Sequence, residues 1–100
     1  MDNAIGLRIY AKQDSACVWR IFPDSGLIME LTGRNVHVLN VVGSEIWELV
    51  DGTRDVNAIA REIEQRFEVD FERACTDVAA FLSELHSKGL CIETKAVAEG

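Results

Sequence analysis

At Asn40 the apolar residues of this chain change their spacing from two to about 3.6, and that switch does most to limit what it can fold into. Before it, short β-branched and aromatic runs are separated by turn signals. Leu7-Arg8-Ile9-Tyr10 alternates weakly, and Cys17-Val18-Trp19-Arg20-Ile21-Phe22 is a strand pattern closed by Pro23-Asp24-Ser25-Gly26. Leu27-Ile28-Met29-Glu30-Leu31 reads as the return strand of a hairpin. Thr32-Gly33-Arg34-Asn35 is a second turn, and Val36-His37-Val38-Leu39 is a short third run. The spacing predicts a three-stranded meander, or four strands if residues 7–11 join it.

After the switch the stripes are helical. Asn40 suits an N-cap, and Val42, Ile46, Leu49 and Val50 share one face before Asp51-Gly52 ends the helix. Thr53 or Asp55 can cap a second helix with Val56, Ile59, Ala60, Ile63 and Phe67 on its apolar face, stopping near Glu68-Val69. Asp70 caps a third, with a seam of Phe71, Cys75, Val78, Leu82 and Leu85, and Gly89 terminates it after Lys88. Leu90-Cys91-Ile92 reads as a short extended return, and residues 94–100 as a frayed tail. The predicted architecture is α+β, an N-terminal three- to four-stranded antiparallel sheet followed by three helices, winged helix-turn-helix-like in shape. Shape alone assigns no function.

A chain of 100 residues is expected to form one domain over residues 1–100, its core spanning about 5–92, because so short a chain cannot divide its core. The 48% hydrophobic and 27% charged content is that of a folded domain. No apolar run is long enough to span a bilayer, and the start Met1-Asp2-Asn3-Ala4-Ile5-Gly6 lacks the basic and apolar stretches of a signal peptide, so the expected location is the cytoplasm. Three cysteines without CxxC spacing fit that compartment and argue against a disulfide framework. The formal net charge of -7 opposes partners that are bound by neutralising phosphates, which disfavours DNA and anionic membranes.

Catalysis needs convergent groups, and few are visible. His37 and His86 have no HxxxH or HExxH partner, so neither a bound metal nor a metal cofactor is expected. Cys17, Cys75 and Cys91 lie in or beside apolar runs with no positioned base. Gly26 and Gly33 belong to turns, Gly52 and Gly89 to helix ends, and no phosphate-cradling glycine pattern occurs. Gly43 stands apart, since glycine in a first helical turn weakens the helix by up to about 1 kcal/mol. Close approach of another backbone is the expected reason. The carboxylates from Glu62 to Glu72, interspersed with Arg61, Arg66 and Arg73, read as a solvated face.

One constellation carries more. Leu39-Asn40-x-x-Gly43-x-x-Ile46-Trp47-x-Leu49-x-Asp51-Gly52-Thr53 is followed by the amphipathic helix ending at Phe67. Asp77-Val78-x-x-Phe81-Leu82-x-x-Leu85-x-x-x-Gly89-Leu90 then completes the pattern. In order and spacing, over roughly residues 38–92, this resembles the PqqD-like family. The resemblance implies a non-catalytic adaptor, without a cofactor, that binds the leader of a ribosomally made precursor peptide. It would present the core to a modifying enzyme, often a radical S-adenosylmethionine protein, in the making of a PQQ-like cofactor or another modified peptide. Too short to contain that enzyme, the chain would act in trans. In such domains the leader is added as a strand to the sheet edge and lies against the last helix. On this chain the resemblance places the edge at Val36, His37, Val38 and Leu39, and the opposite wall at Ala74, Asp77, Phe81 and Lys88. Two other classes compete. A winged-helix DNA-binding regulator would need a basic third helix, whereas Glu72, Asp77 and Glu84 oppose Arg73 and Lys88 there. A structural or dimerisation module would bind no peptide, and homodimerisation stays open.

Overall fold

The computed structural model describes residues 4–33 and 35–94. A 3-10 turn, Ala4–Leu7, leads into β1 (Ile9–Lys12), β2 (Cys17–Ile21), β3 (Gly26–Glu30) and β4 (Val36–Leu39). The helices α1 (Val41–Leu49), α2 (Val56–Phe67) and α3 (Phe71–Ser87) follow, and β5 (Cys91–Thr94) ends the described chain. The α+β order read from the sequence is the observed one.

The meander is β2-β3-β4, antiparallel throughout. Pro23-Asp24 makes its first turn two residues long, with the Phe22 N–H donating to Ser25 O at 2.8 Å. Register then sorts the side chains. Cys17, Ile21, Ile28 and Leu39 face inward, and Cys17, Ile28 and Leu39 are buried. The outer face carries two cross-strand rows, Val18-Met29-Val36 and Arg20-Leu27-Val38. Apart from Arg20, these are not the polar residues that alternation normally places toward water.

The first strand departs from expectation. It does not extend the meander but pairs with β5, from Ile9↔Thr94 to Lys12↔Cys91, in a separate two-stranded sheet, and Leu7 belongs to the 3-10 turn. The reason lies in the other edge of β1. Gly52 N and Val56 N donate to Tyr10 O and Arg8 O, both at 3.0 Å, so the α1–α2 link occupies that edge. Asp51 shapes the link by accepting from Thr53 N (2.9 Å), Arg54 N (3.0 Å) and Thr53 Oγ1 (2.9 Å), with Gly52 in the left-handed region at φ 84°. Of the tail expected at residues 94–100, Thr94 is in β5 and the remainder lies outside the described residues.

Each helix begins at a capping side chain. Asn40 accepts from Gly43 N (2.7 Å), Asp55 from Ala58 N (2.8 Å) and Asp70 from Arg73 N (2.8 Å). The core lies where α1 and α2 meet the inner sheet face and α3, with Trp47, Ile28, Ile59, Val78 and Leu82 no more than 1% exposed. Trp19 caps its sheet side, packing edge-on against Trp47 at 5.5 Å, while Lys12 Nζ approaches both rings and donates to Val50 O at 2.6 Å.

Candidate functional site

An edge strand exposes half of its backbone groups, and on β4 the register says which half. Glu30 N donates to Asn35 O, which places Glu30–Asn35 at a hydrogen-bonded position of the ladder. Bonded pairs recur at every second residue of an antiparallel ladder, so His37 and Leu39 turn their N–H and C=O groups toward β3. Val36 and Val38 therefore turn theirs toward the open edge.

Beside this edge runs a groove of about 360 Å³, lined by Val38, Leu39, Asn40, Val42, Gly43, Ile46, Asp77 and Phe81. The strand gives one wall, the first turns of α1 the floor and α3 the far wall. Gly43 shapes the floor. A Cβ there would lie 3.2 Å from Phe81 Cε1 and 3.3 Å from Asn40 Oδ1, so the missing side chain lets the ring of Phe81 settle against α1. The neighbour that calls for glycine is thus an aromatic side chain, not the backbone expected from sequence.

The residues named from sequence divide at this groove. Val38, Leu39, Asp77 and Phe81 line it together. Val36 and His37 continue the same strand outside it, with His37 Nε2 2.7 Å from Glu30 Oε2. Asp77 is exposed and pairs with Arg73 at 3.3 Å. Ala74 must be withdrawn from the wall. It is fully buried, because the inward seam of α3 runs through Ala74, Val78, Leu82 and Leu85, leaving Phe71 and Cys75 only half-buried. Lys88 lies past the end of α3, paired with Glu84 at 3.1 Å, and does not line the groove. Sequence reasoning assigned Asn40 to capping and Val42 and Ile46 to the core, so it missed the floor. The glycine at 43, costly in a first helical turn, was the one signal pointing there.

The chemistry of the groove is that of a binding surface. Its side chains are mostly aliphatic or aromatic, Asp77 is the single charged group among them, and Val38 turns its backbone N–H and C=O to the open edge beside it. Elsewhere the thiols are damped. Burial raises Cys17 and Cys75, and burial together with the neighbouring Cys17 pushes Cys91 up to about 12. Among the described residues no cluster of three or more His, Cys, Asp or Glu side chains is placed to hold a metal ion, and no helix is long and apolar enough to cross a membrane.

The solved structure described as TbiB1 in complex with the TbiA(beta) leader peptide is similar to this chain, with a TM-score of 0.72 at 26% identity. That similarity covers 89% of this chain and 99% of the other. Among curated proteins none matches. The family model for coenzyme PQQ synthesis protein D (PqqD) matches residues 26–90, from the first residue of β3 to the residue before β5. With more than half of its length matched in this way, the chain belongs to the PqqD family.

Proposed function

We propose that this chain is a single-domain, non-catalytic adaptor that takes up the leader of a ribosomally made precursor peptide as an added strand on β4. The observation that carries the reading is the open edge of Val36 and Val38 beside an apolar groove walled by Phe81. Family membership supports it, as does the likeness to a protein solved with a leader peptide. The peptide-modifying partner is a separate enzyme, a radical S-adenosylmethionine protein in the first instance, and both act in the cytoplasm. The product is a PQQ-like cofactor or another modified peptide.

The magnitudes suit a transient carrier. Two residues with open edges offer at most four backbone hydrogen bonds, worth about 1 kcal/mol each. Two apolar leader side chains seated in the groove add about 1.5–3 kcal/mol each. Ordering a flexible leader takes back about 2–5 kcal/mol, besides the loss of translational freedom. The surplus holds a peptide long enough for handover, not permanently.

Hydrogen exchange with and without a synthetic leader of a candidate precursor peptide tests the reading. The amides of Val36 and Val38 gain protection, those of His37 and Leu39 change less because they already bond to β3, and α2 is unaffected. Protection concentrated on α2 would exclude strand addition.

A further inference from the structure

Val36 and Val38 turn their backbone groups to the open edge of β4, and their side chains belong to the outer face of the sheet. They are 47% and 75% exposed, which makes Val38 the most exposed large hydrophobic side chain among the described residues. Edge strands normally carry lysine, other charges or proline at such places, and these keep foreign strands away. Here two valines end the rows Val18-Met29-Val36 and Arg20-Leu27-Val38, so the rim itself is aliphatic. The inner face of β4 is mixed. Leu39 lines the groove, whereas His37 is half-buried beside the Glu30 carboxylate at 2.7 Å.

A strand added antiparallel to β4 inherits this pattern, because residues directly opposite each other in a ladder put their side chains on the same face. The leader residues that exchange backbone hydrogen bonds with Val36 and Val38 therefore send their side chains away from the groove, each Cα about 5.5 Å from that of its valine. Those opposite Leu39 and His37 point inward. We infer that β4 reads the leader on both faces of the added strand, selecting a segment that runs apolar, apolar, polar, apolar from its N-terminus, opposite Leu39, Val38, His37 and Val36 in turn. This rests on the strand addition proposed above and names the class of peptide it admits. The first apolar side chain enters the groove beside Phe81, joined by the residue two before it. The second and fourth extend the outer rows by one strand and cover the exposed valines. Only the third meets polar atoms, those of His37 and Glu30, so a hydrogen-bonding side chain suits it. A plain amphipathic strand, apolar at every second residue, would leave either the groove or the valines unfilled.

The test is titration of the full chain with a synthetic leader of a candidate precursor peptide, scanned with serine one residue at a time, and hydrogen exchange of the complex. Serine at the first, second and fourth positions of the bound segment should each weaken binding about two- to fivefold or more, and at the third less than about 1.5-fold. On the protein, Val36→Ser and Val38→Ser together should weaken binding about fivefold while leaving thermal unfolding within a few degrees of the parent. Val18→Ser, in the same outer row but roughly 14 Å from the added strand, should bind as the parent does. If Val36 and Val38 are protected but the losses fall only on alternate leader positions, or the paired valine substitutions change nothing, the inference is overturned and strand addition stands. A leader that binds without protecting those two amides overturns both.

Discussion

Phe81 and Leu82 are adjacent on α3 and do different work. Leu82 is fully buried in the seam, whereas Phe81 is half-buried, with its ring against Gly43 on one side and the groove on the other. Leu82→Ala is expected to cost about 2–5 kcal/mol of stability, as a cavity in a packed core does. Phe81→Ala should cost less in unfolding but weaken leader binding by about 1–3 kcal/mol, read by titration of both variants with the same synthetic leader. Equal unfolding losses, or normal leader binding by Phe81→Ala, would remove Phe81 from the site. Asp51 offers a pH test on another residue. Desolvation pushes its carboxyl up, but the amides of Thr53 and Arg54, the Thr53 hydroxyl and the Arg54 guanidinium outweigh it and hold the group at about 2, below its usual 3.8. A depressed folded value means a stabilisation that is fully present above 3.8 and lost as pH falls through about 2. The stability gap between the parent and Asp51→Asn, measured by urea unfolding, should therefore be constant near neutrality and close over that acid window. A gap unchanged down to pH 2 would show that the carboxylate is not what holds the α1–α2 link.

At the scale of elements, β4 is the strand whose two kinds of residue can be told apart by one substitution. Proline at Val38 removes an N–H that faces the open edge, while proline at His37 removes one bonded to Ile28 on β3. Val38→Pro should fold and lose leader affinity about tenfold or more; His37→Pro should lose ordered β4 itself, seen by amide exchange. If Val38→Pro binds the leader as the parent does, the open edge is not the receptor. How much of this was legible follows from how local each signal is. The caps Asn40 and Asp70, the turn at Pro23-Asp24 and the glycine ends are each set by neighbours within a few residues, and all were readable. Pairing of β1 with β5 joins residues more than seventy apart, and no periodicity encodes such a partner. The α3 seam slipped because Phe71 and Ala74 both fit a helical stripe, and size favoured the phenylalanine. Packing chose the alanine, where α2 comes close. The groove floor was hidden for a related reason, since Val42 and Ile46 fit the core stripe as well as they fit a cleft.

Over the whole molecule, a net charge of -7 opposes partners that are bound by neutralising phosphates. Part of the -7 charge lies on the helices, where carboxylates are partly neutralised by nearby arginines, such as Arg66 between Glu45 and Glu62. The ribbon of β1 and β5 has a kinetic meaning beyond its place in the sheet order. It closes a loop containing every other strand and all three helices, and loop closure grows costlier by about 0.6 kcal/mol with each doubling of length. The β2–β3 hairpin and the α2–α3 pair can form from near neighbours, whereas the ribbon must wait until they have drawn its two strands together. The chain should therefore zip up from its middle and fray from the ribbon, so that native-state exchange under mild denaturant releases the amides of β1 and β5 before those of β3. Opening the ribbon would leave β4 and α3 still facing each other, so the part of the fold with the longest-range contacts is also the part that the groove can briefly do without.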